Sequence, residues 1–149
     1  MIRKYTVVCS GILSVIMIIL VSFSFINGTT CKYTLSINTT ERETFLTCYR
    51  GKVVALHSNI NGDLVSEWKV EARQFIFLDQ LIYFVYSREM IVDDRNEGPN
   101  DKFNRISSGY RFLFYRYERE GDDIMLMQEF PEQTIIFGKI TGRLSYFQK

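Results

Sequence analysis

One histidine and three cysteines in 149 residues cannot furnish a closed zinc site without borrowing carboxylates. Catalysis has little to stand on either. His57 has Ser58 beside it, but neighbouring residues of a strand point to opposite faces and cannot pair as base and nucleophile. Asp93-Asp94 and Asp122-Asp123 lie in turn-forming stretches, where carboxylates shape the turn, and no glycine-rich phosphate loop is present. The expectation is a non-enzyme with no cofactor. Excess charge is missing as well: 18 basic and 17 acidic side chains leave a formal +1, so no global field draws the chain to nucleic acid. Prolines number only two, against twelve Phe and nine Tyr, which describes an aromatic, sheet-prone chain.

The first 28 residues differ from the rest. Arg3 and Lys4 make a basic start, and Val7 to Ile26 then run without a charge. A run of that length spans a bilayer as a helix or serves as a long signal peptide. Ser22, Ser24 and Gly28 offer cleavage positions, and cleavage is the favoured outcome. Either way the remainder lies on the lumenal or extracellular side, because the basic flank stays cytoplasmic. Residues 1–28 are thus expected to be a signal peptide or signal anchor and 29–149 a single exported domain. Two sequons agree with export: Asn27-Gly28-Thr29 and Asn38-Thr39-Thr40 are N-glycosylation acceptors by pattern. Cys9 falls in the apolar run, leaving Cys31 and Cys48 to form a disulfide or to sit as two buried thiols.

Beyond Tyr33 the apolar residues come in short runs with turn chemistry between them, which predicts strands over 45–48, 53–57, 64–70, 75–78, 81–86, 110–117, 124–127, 134–137 and 144–147. Asn61-Gly62 marks a hairpin between the second and third of these, and Thr141-Gly142 a hairpin near the end. Arg95 to Asp101 is the longest polar loop. Turn-centred units around Gly62, Gly98 and Gly142 recur at a mean spacing near 40 residues, as a β-trefoil with pseudo-threefold symmetry requires. The alternative is an eight-stranded barrel or sandwich without symmetry.

The stretch from Leu46 through Cys48, Gly51, His57 and Gly62 to Val65 resembles the opening of the fibroblast growth factor core. Val70 to Leu78, Tyr86 to Asp93, Phe112 to Glu118 and Phe137 to Leu144 resemble, in order, that family's later strand pairs, its aromatic strand and its third hairpin. The resemblance covers residues 45–149 and implies a secreted signalling ligand, a receptor tyrosine kinase ectodomain as partner and heparan sulfate as a weak co-ligand, with the membrane met only through an uncleaved leader. The chain stops at Lys149, where the family continues through a basic loop and a closing strand, so Tyr33 to Ile37 is the candidate to close the barrel. Positions matching the family's acidic and Asn-Tyr receptor contacts hold Tyr115, Gly121 and Asp122 instead. Heparan contacts are expected from Lys139, Arg143 and Lys149, in a tail without acids after Glu132. Receptor contacts are expected from Tyr49, Tyr115 and Leu144. A different class stays open: a membrane-anchored or secreted β-domain glycoprotein for adhesion, entry or structural assembly.

Overall fold

The computed structural model of the chain describes residues 2–40, 42–61, 64–92, 109–130 and 133–146. It shows one long helix, α1 (Ile2–Thr29), followed by eight antiparallel strands that close on themselves. These are β1 (Lys32–Asn38), β2 (Arg42–Tyr49), β3 (Lys52–Asn61), β4 (Leu64–Phe77), β5 (Gln80–Val92), β6 (Phe112–Glu120), β7 (Asp123–Phe130) and β8 (Thr134–Arg143). Each strand pairs with the next, and β1 returns to pair with β8 from Lys32↔Arg143 to Ser36↔Lys139.

An up-and-down barrel of this kind has no threefold repeat, so the trefoil expectation is corrected to the unsymmetric eight-stranded alternative. The physical reasons are local. The runs at 64–70 and 75–78 are one continuous strand, β4, whose inward residues Val70, Ala72, Gln74 and Ile76 keep a single alternation. Gly142 does not turn a hairpin. It extends β8 with φ +108°, and a Cβ there would meet the Lys32 carbonyl and Tyr33 Cα, so its lack of a side chain lets the last strand lie against the first. Gly138 does the same higher on that seam, where a Cβ would come within 2.8 Å of the Ser36 carbonyl oxygen. After β8 the chain is not a strand over Leu144 to Tyr146 but crosses the end of the barrel. The β3–β4 hairpin is present, with Asn61↔Leu64 as its last pair. The polar loop Arg95 to Asp101, with Gly98 and Asp93-Asp94, lies outside the described residues, as does Lys149.

The two ends of the barrel differ. At the base Ile76, Leu81, Ile140 and Leu144 are completely buried. The end of α1 completes this closure by lying against β4. Phe25 meets Phe75 with ring centroids 5.7 Å apart, Gly28 packs on the backbone of Gln74 and Phe75, and buried Asn27 accepts a hydrogen bond from the Tyr146 N–H through Oδ1 at 3.1 Å. Cys31 and Cys48 form a disulfide at the same end. At the mouth, where β1 meets β2 and β5 leads to β6, the inward residues His57, Trp68, Val70, Arg88 and Met90 keep partial exposure.

Candidate functional site

Strand alternation sends Arg42, Thr44, Leu46 and Cys48 of β2 and Val53, Ala55 and His57 of β3 into the barrel. Residues directly opposite in a ladder share a face, so the pairs Thr44↔His57 and His57↔Trp68 put all three side chains on the inner wall. Thr44 Oγ1 lies 2.9 Å from His57 Nδ1. Trp68 Nε1 is buried there without a hydrogen-bond partner.

β5 contributes through an irregularity. Leu81, Tyr83 and Val85 alternate inward, but the register with β4 steps from Ala72↔Val85 to Glu71↔Ser87, leaving Tyr86 over. The extra residue reverses the parity of the strand beyond it. Arg88 therefore faces Val70 and Met90 faces Trp68, both on the inner wall. A strict reading of the alternation after Val85 would instead have placed Ser87 and Glu89 inside. No sequence signal marks the bulge, so the inward position of Arg88 is not legible from the alternation.

The mouth thus holds two guanidiniums, of Arg42 and Arg88, within electrostatic reach of the same two groups, His57 and Tyr115. Burial pushes the His57 imidazole well below its ordinary pKa, and the two arginines push it further the same way. Tyr115 is pushed up to about 12 by burial, against the pull of both cations. Burial lowers the Arg88 pKa as well, and its Nη2 donates to the Tyr110 carbonyl at 3.2 Å. Among the described residues that line the wall there is no carboxylate: Glu43, Glu67, Glu71 and Glu89 occupy outward positions of β2, β4 and β5.

Below the mouth the polar groups continue as a column. Tyr115 packs edge-on against Tyr83 at 5.7 Å. The Tyr83 and Tyr33 hydroxyls are 2.8 Å apart, Tyr33 donates to Gln74 Oε1 at 2.7 Å, and Gln74 Nε2 donates to the Leu144 carbonyl at 3.1 Å. Burial holds the Tyr33 and Tyr83 phenols well above their usual pKa, so each keeps its proton as a hydrogen-bond donor.

The residues expected from sequence fall elsewhere. Lys139 and Arg143 lie on the outer face and end of β8, exposed. Tyr49 is exposed at the end of β2. Tyr115 faces the interior, and Leu144 is fully buried at the base, so both are core rather than contact residues: a 15% aromatic chain must bury many of its rings. Asn38 is exposed at the end of β1. Asn27 is only 6% exposed and hydrogen-bonded, which leaves a glycan no outlet. His57 and Ser58 do stand on opposite faces, and the interior partner of His57 is Thr44.

No protein-family model matches the chain, and no curated protein is detectably similar to it. Function is therefore read from the geometry alone.

Proposed function

We propose that the protein is an exported, membrane-tethered barrel that binds one small anionic amphiphile at its mouth. The observation that carries this reading is the convergence of Arg42 and Arg88 on a neutral His57 and a protonated Tyr115 inside the wall. Eight strands make the narrowest barrel whose interior either fills with side chains or holds one small ligand. Two guanidiniums supply charge-assisted hydrogen bonds to a carboxylate, sulfate or phosphate group. Trp68 Nε1 adds a donor that lacks a partner, and Leu46, Val70, Val85 and Met90 supply apolar wall for the rest of the ligand.

Binding accounts for the site better than catalysis. An imidazole with its pKa well below the ordinary value is a weak base at neutral pH, and no carboxylate orients it among the described residues. The growth-factor expectation, with its receptor kinase and heparan partners, rested on a resemblance of spacings whose implied fold, the trefoil, is replaced here by a barrel. For location, α1 is the tether: Tyr5–Thr29 is long and apolar enough to cross a bilayer.

Trp68 is the sole tryptophan and stands at the site, so it reports occupancy directly. The test is energy transfer from Trp68 to 1-anilinonaphthalene-8-sulfonate, titrated into the full chain held in nonionic micelles. Saturable one-to-one transfer is expected. Arg42→Gln and Arg88→Gln should each weaken binding roughly tenfold to a hundredfold, the effect of removing one charge-assisted contact. Transfer that does not saturate, or equal affinity in the double substitution, would refute the reading.

A further inference from the structure

At the base α1 ends at Thr29 and β1 begins at Lys32, so hardly any linker separates the apolar helix from the barrel. Asn27, Gly28 and Phe25 are themselves parts of the barrel floor. A helix fixed in this way points the base at whatever the helix enters. The part of this helix ahead of the floor, residues 5–24, is about 30 Å long at 1.5 Å per residue, enough for a hydrocarbon core of about 30 Å.

The rim around the helix exit has an interfacial composition. Tyr146 is 63% exposed, Tyr49 is exposed with the Arg50 guanidinium 5.3 Å from its ring centre, and Leu78 stands out at 74% on the β4–β5 turn. Arg50, Arg73 and Arg143 surround them. The Arg73 guanidinium reaches the Arg50 carbonyl at 3.5 Å and Arg143 the Thr30 carbonyl at 3.4 Å. Among the described residues none of the three joins an ion pair, whereas Lys52 and Lys69 are taken up by Glu71. Acids at this end are Asp79, beside Leu78 on the β4–β5 turn and ion-paired with Arg116 at 3.4 Å, and Glu118, Glu120, Asp122 and Asp123 of β6, β7 and the turn between them. Tyrosine rings and long cationic side chains at the end of a spanning helix favour the headgroup layer, with the ring or stem in apolar surroundings and the polar tip at phosphate.

We infer that this rim is a footing on the bilayer: Tyr49, Leu78 and Tyr146 enter the headgroup layer, and Arg50, Arg73 and Arg143 engage lipid phosphates. The inference rests on the tether reading of α1. It fixes orientation, with the base on the membrane and the mouth facing away from it.

The test uses the full chain in phosphatidylcholine nanodiscs with or without bromine on the upper acyl chain. In a Trp68→Phe background, Tyr146→Trp places a single reporter at the rim, and Tyr49→Trp provides a second should the first disturb folding. The rim reporter should lose about half of its emission in brominated discs, while native Trp68 at the mouth should lose almost none. Replacing Arg50, Arg73 and Arg143 with Gln should relieve the quenching. Equal quenching of rim and mouth, or a rim reporter indifferent to bromine, overturns the footing alone. A rim reporter that responds to heparin and ignores bromine identifies a polysaccharide surface and also overturns it. Recovery of the chain from the medium of expressing cells with a new N-terminus beyond Ile26 removes the tether, and the footing with it.

Discussion

Lowering the pH from 7 to 5 should destabilise the barrel through His57. In the unfolded chain its imidazole titrates near 6.5. In the folded barrel its pKa lies well below that value, first because burial disfavours the charged form and then because Arg42 and Arg88 repel a third cation. Between those two pKa values the unfolded chain binds a proton that the folded chain refuses. Stability is therefore fully present above the unfolded pKa and falls with pH below it, at a slope that approaches about 1.4 kcal/mol per pH unit. Integrated from pH 7 to pH 5, the loss is about 2 kcal/mol, a large share of the stability of a small domain. His57 is the only histidine, so no other side chain of ordinary pKa changes charge in that window. Glu71, held low first by the hydrogen bond from Lys69, loses its contribution only at more acid pH. Urea unfolding of the full chain in nonionic micelles, followed by Trp68 emission at half-unit pH steps, measures the slope. His57→Gln should flatten it. A flat profile in the native chain, or the same slope in the variant, would refute the assignment of His57 to a buried cationic mouth. A bound anion acts in the opposite sense: it raises the His57 pKa, so affinity should increase as the pH falls.

Two further outcomes follow from the interior and the seam. Tyr33→Phe leaves Gln74 Oε1 and the Tyr83 hydroxyl each short of a buried partner, and should cost about 2–4 kcal/mol in the same unfolding measurement; a cost near zero would show that water takes the place of the hydroxyl. Gly142→Ala meets the Lys32 carbonyl at a φ of +108°, and strain alone should cost about 1–3 kcal/mol. The expected signature is faster deuterium uptake in β1 from Tyr33 to Ser36, and unchanged exchange there would contradict the seam.

How far the sequence reveals this molecule depends on the range of the signal. The uncharged run to Ile26 and the Asn61-Gly62 hairpin are local facts, and both appear where the residues place them. Topology is not local. Three glycines at similar intervals suggested a threefold repeat, yet Gly142 serves a close strand approach rather than a turn, and the break between Val70 and Phe75 is filled by Gln74, a polar residue bound inside the barrel. The closing strand at Tyr33 to Ile37 was readable as a candidate. What closes it, the β8 pairing across more than a hundred residues, was not. The site was hidden for a related reason. Arg42 precedes the strand expected over 45–48, whereas β2 begins with it, and Arg88 points inward only because Tyr86 is left out of the ladder.

That bulge gives the barrel its polarity. Without it Arg88 would lie outside and the mouth would carry one interior arginine, with Glu89 brought to the wall in its place. With Arg88 rather than Glu89 on the wall, both arginines push the His57 pKa down and the imidazole stays uncharged. The column beneath reinforces this arrangement, because Tyr33 and Tyr83 stay protonated and the chain of hydrogen bonds ends on the Leu144 carbonyl, held at the floor that α1 completes. Inside the barrel the guanidiniums thus lie at the open end, and hydrogen-bonding capacity is consumed at the closed end. On the proposed reading a small anion would find its counter-charge at the mouth, because the polar groups deeper in the column are already paired with one another.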